Sequence, residues 1–315
     1  MEKFFSCDWG TSSFRLRLIE VKNLSVITIE DTSQGIAETF RLWKQQVEVE
    51  RMDFFRNYIR ERIRAIESKL DSPLTNVPIV MSGMASSNIG LFELAYKKIP
   101  FDTDGSDLIS KSIAATDTFT HDLLIISGAN TNNDAMRGEE TQLVGTFKSA
   151  EKTIYIFPGT HSKHIFTESG MAVDCKTFMT GEFFEMLSQK SILSNSVSAN
   201  KSFDRYAGSF DNGVRIGAGS NLLNAAFHVR TNSLFEKLSK EENFYYLSGL
   251  LIGYELKEIL TRNSSNITLV SNRTQADFYT RALALLDKHR QLSFVDIETA
   301  TIVGQFRIAI KAGFI

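Results

Sequence analysis

Cysteine is nearly absent from this chain. Cys7 and Cys175 are the two in 315 residues, far apart in sequence, and they supply neither a disulfide framework nor a zinc pattern. Charge of one sign does not dominate: 35 basic and 37 acidic side chains leave a net charge of −2, which points to no nucleic-acid partner and no acidic membrane. No run approaches the roughly 18 apolar residues that span a bilayer. The start lacks a basic segment followed by a long apolar one, so no signal peptide is expected. Two sequons, Asn263-Ser264-Ser265 and Asn266-Ile267-Thr268, carry no weight without a secretory route. The expected setting is the cytoplasm.

Familiar chemical signatures are missing too. There is no Gly-x-x-x-x-Gly-Lys-Ser/Thr loop and no Gly-x-Gly-x-x-Gly fingerprint, so a nucleotide-phosphate site must use another architecture. Gly-x-Ser-x-Gly is absent, which removes an esterase nucleophile elbow. The five His are scattered; His161 and His164 lie three apart across an expected turn and read as solvent or turn residues, not metal ligands.

What remains is a globular composition, 43% hydrophobic and 23% charged, in a chain long enough for two cores. It opens on Cys7-Asp8-Trp9-Gly10-Thr11-Ser12-Ser13-Phe14-Arg15. Phe4 and Phe5 lead into the Asp, and Gly10 with three hydroxyl residues turns the chain. Phe14, Leu16 and Leu18 then alternate with Arg15, Arg17 and Ile19, a period near two that predicts a returning strand. Such a hairpin tip can set backbone N–H groups around a phosphate while the carboxylate faces a hydrated Mg²⁺. An ordinary Gly-Thr-Ser turn explains the same residues.

The pattern returns at 153–167: an apolar strand at 153–157, the turn Pro158-Gly159-Thr160-His161-Ser162-Lys163, a second strand from His164 and a third over 171–179. Both turns contain Gly-Thr-x-Ser, 149 positions apart. The shared strand–turn–strand frame predicts two similar α/β domains, 1–149 and 150–315, with a cleft between them and one turn facing it from each side.

Elsewhere, 26–29 reads as a third strand. Phe55, Ile59, Ile63, Ile66 and Leu70 predict a helix within 47–70. Strands at 77–81 and 123–126, with a helical region between them, each run into Ser-Gly, where open α/β sheets bind ligands. A short helix is expected near Gly138, then helices at 182–193, 244–260 and 275–286, a strand at 267–270, and a last helix at 299–311 returning to the first domain. Gly249 and Gly253 share one face of the 244–260 helix. Each costs about 1 kcal/mol there, which close packing or the approach of a flat ligand would offset.

The densest polar cluster is Asn132-Asn133-Asp134-Ala135-Met136-Arg137-Gly138-Glu139-Glu140-Thr141-Gln142. Acidic residues in a first helical turn are favourable in themselves, which accounts for Glu139 and Glu140 without any function. The functional account needs a base for a substrate hydroxyl and a cation for a substrate anion. Both types are present, and phosphoryl transfer asks for little else.

With these residues in view, the chain resembles the 2-dehydro-3-deoxygalactonokinases. The resemblance rests on Asp8-Trp9-Gly10-Thr11-Ser12-Ser13-x-Arg15, Gly83-Met84-x-x-Ser87, Met136 to Gln142 and Pro158-Gly159-Thr160-His161-x-Lys163. It continues through Thr180-Gly181-Glu182, Phe227-x-Val229-Arg230 and Ser248-Gly249-Leu250-Leu251-Ile252-Gly253-x-Glu255, over nearly the whole length. The resemblance implies an actin/hexokinase-like enzyme, two ribonuclease-H-like domains flanking an ATP cleft. The implied reaction moves the γ-phosphate of ATP to the 6-hydroxyl of 2-dehydro-3-deoxy-D-galactonate in galactonate breakdown.

Carried over, it implies that Asp8 holds Mg²⁺ through water and that Gly10, Thr11, Ser12, Ser13 and Arg15 lie near the phosphates. Gly159, Thr160, His161, Ser162 and Lys163 form the second phosphate turn, with Gly181, Gly249, Gly253 and Ser271 completing the nucleotide site. Gly138-Glu139 occupies the place where related sugar kinases carry a Gly-Asp with the catalytic base, so Glu139 is the expected base, with Asp134 and Glu140 in reserve. Ser82, Gly83, Met84, Ser87, Asn88 and Arg137 are the expected sugar-acid contacts, Arg suiting a carboxylate best. Two departures stand out: Val270-Ser271-Asn272-Arg273 replaces the Gly-rich turn often found under adenine, and Leu91 follows Gly90 where the family often has Trp. The competing readings are a kinase for a related 2-keto-3-deoxy sugar acid, a non-catalytic sugar-acid sensor, and a phosphohydrolase of the same superfamily. Asp8 and Glu139 count against the sensor, since binding alone needs neither a base nor a metal ligand.

Overall fold

This computed structural model describes residues 1–147, 150–200, 202–262, 264 and 266–315. Residue 149 of the expected domain boundary and residues 263 and 265 of the first sequon lie outside the described residues. The chain forms two compact units: Met1–Glu151, Thr167–Cys175 and Ile297–Ile315 make the first, Lys152–Phe166 and Lys176–Asp296 the second.

The first unit contains β1 (Lys3–Trp9), β2 (Phe14–Glu20), β3 (Ser25–Thr32), α1 (Ile36–Trp43), α2 (Arg51–Leu70) and β4 (Ile79–Gly83). After β4 come the short strands β5 (Lys97–Lys98) and β6 (Phe101–Asp102), then β7 (Ser110–Ile113), β8 (Leu123–Ile126), β9 (Ala129–Asn130), β10 (Ala135–Met136) and α3 (Glu139–Thr146). The chain continues through β11 (Thr153–Phe157), β12 (Ser162–Glu168), β13 (Met171–Phe178), α4 (Thr180–Glu185), α5 (Phe203–Gly219) and α6 (Leu222–Leu234). It ends with α7 (Lys240–Leu260), β14 (Asn266–Ser271), α8 (Arg273–Leu286), β15 (Gln291–Asp296) and α9 (Ile297–Lys311), which belongs to the first unit.

In the first unit the sheet order is β3-β2-β1-β4-β8-β7. β1, β2 and β3 form an antiparallel meander, β4 and β8 run parallel to β1, and β7 closes the edge antiparallel to β8. Period-two alternation splits β1 between the two faces. Phe5, Cys7 and Trp9 join Phe55, Tyr58, Ile59, Ile63 and Ile66 of α2 in one core, while Phe4 stacks on Phe306 of α9 with ring centroids 5.8 Å apart. The α2 stripe is the one that the spacing of its apolar residues predicts. Burying side chains of this size contributes about 1.5–3 kcal/mol each.

In the other six-stranded sheet, the strand order β13-β12-β11-β14-β15 repeats the β3-β2-β1-β4-β8 order of the first. β14 runs parallel to both β11 and β15, as β4 does to β1 and β8. This duplicated order is the ribonuclease-H-like arrangement, and the architectural repeat expected from the two Gly-Thr-x-Ser turns is present. α7 opens with a capping box, Ser239 Oγ accepting from Glu242 N–H at 3.1 Å and Glu242 accepting from Ser239 N–H at 2.7 Å.

Some elements differ from expectation. The helical region expected between 81 and 123 is not there; a single 3-10 turn, Met84–Ser86, and short strands replace it. Three of its Asp side chains accept from nearby backbone: Asp107 from the N–H of Asp102, Asp102 from Asp104 and Asp104 from Ser106, turns that compete with helix. The helix expected at 182–193 starts earlier, at Thr180, and becomes π-helical over Met186–Lys190.

Candidate active site

β1 delivers Asp8 to the C-terminal end of the first unit's sheet, beside Gly83 at the end of β4. Gly83 has φ +81°, and a side chain there would meet Trp9 O at 2.9 Å and Asp8 Oδ1 at 3.5 Å. Gly138 has φ +114°, and a Cβ on it would sit 3.6 Å from Gly83 Cα. Glycine at both positions lets Asp8, the loop after β4 and the start of α3 converge where open α/β sheets place their ligands.

Glu139 is the first residue of α3 and is partly exposed; its Oε2 accepts from the Arg137 N–H at 3.1 Å. Glu140 is fully buried, with its carboxylate taken by the Gly138 N–H at 2.8 Å and the Thr141 hydroxyl at 3.0 Å. Burial first, and the neighbouring Glu139 second, push its pKa up to about 7. A carboxylate with no exposed surface and both oxygens engaged cannot reach a substrate hydroxyl, so Glu140 is withdrawn as a reserve base. Asp134 sits in the tight turn between β9 and β10, where its N–H meets Thr131 Oγ1 at 2.9 Å.

The raised Glu140 value has a consequence for stability. A carboxyl that holds its proton more tightly when folded adds stability below about pH 4.5, and this is lost as pH rises through 7. Glu140→Gln keeps an oxygen for the Gly138 N–H and cannot ionise. Thermal unfolding is expected to show the variant gaining on the parent between pH 5 and pH 8–9, by about 3 kcal/mol at the upper end. A difference independent of pH would contradict a protonated Glu140.

Arg137 is less available than its type suggests. Its Nη1 donates to both Ser86 O and Ser86 Oγ at 2.7 Å, Nε to Tyr96 OH at 3.0 Å and Nη2 to Leu94 O at 3.4 Å. The guanidinium also stacks over the Tyr96 ring at 4.0 Å. One Nη2 N–H is left over, which leaves the expected contact with a substrate carboxylate a single donor. Ser82 and Ser87 also turn inward: Ser82 Oγ accepts from Gln305 of α9 at 2.8 Å, and Ser87 donates to Met84 O at 2.8 Å. Met84 is partly exposed and Asn88 exposed, while Leu91, at the position of the expected Trp, is buried in the core.

Around the first turn, the Gly10 N–H closes on Ser13 O at 2.9 Å. The N–H groups of Ile36 and Ala37 bind Gly10 O and Thr11 O, seating the start of α1 on the turn. Thr11 and Ser12 are exposed. Arg15 lies 3.5 Å from both Asp8 and Asp31. Burial pushes the Asp8 carboxyl up, against the pull of Arg17 and Arg15.

In the second unit, a side chain on Gly181 would strike Gly159 O at 2.5 Å, so the 158–163 turn lies directly against the start of α4. Glu182 N–H reinforces this through Thr160 O at 3.0 Å, and His161 Nε2 meets Glu182 Oε2 at 2.5 Å. Lys163 is buried with Nζ on His161 O at 3.3 Å. Ser162 and His164 differ from expectation: both are fully buried, at 2.7 and 2.8 Å from Glu255 of α7. A pocket of about 120 Å³ opens beside the turn, lined among others by Pro158, Gly159, Thr180, Gly181, Ser248 and Tyr279. It is smaller than the roughly 300–1,000 Å³ of ordinary ligand sites.

Gly249 and Gly253 do not face that pocket. A Cβ on either would lie 2.2 Å from a backbone oxygen of α5, Phe210 O or Val214 O, and Gly213 and Gly217 of α5 return the contact. The glycines serve a close helix crossing, and the expected nucleotide contact is corrected to packing. Ser271 is buried with its hydroxyl on Asn272 O at 3.0 Å.

The sequence profile of the 2-keto-3-deoxy-galactonokinase family matches residues 8–308. The chain belongs to that family. The Escherichia coli (strain K12) 2-dehydro-3-deoxygalactonokinase is 31% identical over 214 residues, 65% of this chain and 70% of that protein. DgoK1 of Rhizobium meliloti (strain 1021) is 27% identical over 290 residues, 89% and 88% of the two chains. A crystal structure from Sinorhizobium meliloti, assigned as a 2-dehydro-3-deoxygalactonokinase, superposes with a TM-score of 0.80 at 26% identity, covering 97% of this chain and 95% of that one. The ADPNP-bound activator of the 2-hydroxyisocaproyl-CoA dehydratase from Clostridium difficile matches at TM-score 0.50 and 11% identity, over 99% and 96% of the two chains, a likeness of fold. The kinase family's fold is thus the actin/hexokinase type expected from the motifs. Among the described residues no helix is long and apolar enough to cross a membrane.

Sequence reasoning missed Tyr96, Gln305 and Glu255 as parts of these sites. Glu255 had a visible signal: a carboxylate on the same face of α7 as the buried Ile252 and Ile259.

Proposed function

We propose that this kinase transfers the γ-phosphoryl group of ATP to the 6-hydroxyl of 2-dehydro-3-deoxy-D-galactonate. Membership of the family supports the reaction class. The observation that carries the residue roles is the convergence of Asp8, Gly83 and Gly138-Glu139 at one sheet end. Glu139 takes the proton of the attacking hydroxyl, and the Arg137 N–H fixes its carboxylate. Phosphoryl transfer leaves the protein mainly to position groups and neutralise charge. In the first unit, the base and the Gly10–Ser13 turn serve the transfer; in the second, the 158–163 turn and the pocket beside it are assigned to the nucleotide.

Among the described residues no three His, Cys, Asp or Glu side chains could cage a metal by themselves. Mg²⁺ asks for less, one or two carboxylates plus water and substrate phosphates. Asp8 fits: its side chain is 24% exposed, its ion-pair contact to Arg15 is long at 3.5 Å, and burial works against its charge. When bound, Mg²⁺ would neutralise charge on the transferring phosphates.

ADP release over a panel of 2-keto-3-deoxy sugar acids, with and without Mg²⁺, tests the reading. Mg²⁺-dependent release with 2-dehydro-3-deoxy-D-galactonate, and a phosphate on O6 of the product by ³¹P NMR, is the expected result. ADP formation indifferent to added sugar acid would point to a hydrolase, and no release with any sugar acid would sink the kinase reading.

A further inference from the structure

Beneath the 158–163 turn lies a carboxylate that the proposed mechanism does not use. Glu255 is 1% exposed, in the middle of α7. Its Oε1 accepts from Ser162 Oγ at 2.7 Å and from His164 Nε2 at 2.8 Å; its Oε2 accepts from Thr180 Oγ1 at 2.5 Å and from Tyr279 OH at 2.8 Å. Removing a carboxylate from water costs several kcal/mol unless its lone pairs are filled, and here they are filled by donors from β12, α4 and α8.

These donors are not scattered through the core. Ser162 is part of the turn itself. Thr180 precedes Gly181, the residue pressed against Gly159 O, and both Thr180 and Tyr279 line the pocket beside the turn. Tyr279 donates to Glu255, whose charge, after burial, holds the phenol well above its usual pKa and therefore protonated as a donor. One buried side chain thus holds the turn, the wall at Thr180 and the wall at Tyr279 to a common point.

We infer that Glu255 is a positioning residue for the nucleotide: by accepting from Ser162, His164, Thr180 and Tyr279 it sets the 158–163 turn and both pocket walls at the spacing that a nucleoside diphosphate needs. The inference rests on the reading that the second unit binds the nucleotide. Glu255→Gln keeps the volume but turns an NH₂ toward two of the four donors. Hydroxyl groups can rotate to accept, yet His164 can accept at Nε2 only by moving its proton to Nδ1, which is buried without a partner.

ADP binding to the intact protein, measured by titration calorimetry, tests this together with steady-state kinetics. Glu255→Gln is expected to weaken ADP binding about tenfold or more, raising the KM for ATP in step while the KM for the sugar acid stays within about twofold. Tyr279→Phe, which keeps the ring and loses one donor, is expected to weaken ADP binding about threefold with an unchanged fold; it carries the test if the Gln variant does not fold. Wild-type ADP affinity in a folded Glu255→Gln protein, or in Tyr279→Phe should the Gln variant not fold, overturns the inference alone. A parallel rise in both KM values also overturns it, because a merely structural role would not single out the nucleotide. Failure of the unaltered protein to bind ADP would overturn the nucleotide reading itself.

Discussion

Glu139→Gln is expected to lower kcat by about 10²–10⁴-fold while leaving both KM values near those of the unaltered enzyme. The amide oxygen can still accept from the Arg137 N–H, as Oε2 does now at 3.1 Å, so the start of α3 keeps its geometry. What disappears is the capacity to take a proton from the sugar hydroxyl. ADP release with 2-dehydro-3-deoxy-D-galactonate measures the loss, and thermal unfolding checks that the fold survives. Burial disqualifies Glu140, so a near-normal rate would move the role to Asp134, on the neighbouring hairpin turn.

The other large effect is expected far from any proton. A Cβ on Gly304 of α9 would stand 1.9 Å from Thr141 O of α3, and one on Gly145 of α3 would stand 1.9 Å from Ala300 O. The two helices cross backbone to backbone, with no room for a side chain. Gly304→Val must push them apart, and overpacking of this kind costs about 3 kcal/mol or more. The unfolding midpoint is expected to drop by about 6–12 °C. Turnover should fall as well, because α3 begins at Glu139. A Gly304→Val protein with the parent's midpoint and rate would show that the crossing can widen at no cost.

The fold was readable where periodicity is local. The α2 stripe, the buried strands and the repeat of strand–turn–strand all follow from spacings within a few residues. The stretch 84–122 was not readable, because its structure is set by Asp side chains binding nearby N–H groups and by pairing between short strands distant in sequence. The site divides the same way. Asp8, Gly83 and Gly138-Glu139 were visible as motifs, and the fold brings them together. Arg137, Gly249 and Gly253 were visible too, but their environment decides their work: Ser86 and Tyr96 occupy most of the Arg137 fork, and α5 fills the space beside the glycines. Residue type suggests what a group can do; its neighbours determine what remains for it to do.

The place of α9 bears on the order in which the protein is made. Residues 297–315 belong to the first unit, yet they follow all of the second in the chain. On the ribosome, the second unit is therefore fully synthesised while the first still lacks a helix. Until α9 emerges, Phe4 has no Phe306 to stack on, Ser82 and the Cys7 carbonyl have no Gln305, and the glycine face of α3 stands uncovered. The unit begun first is the one finished last, and a nascent chain stalled before residue 297 would present an open apolar face to chaperones or to its own neighbours.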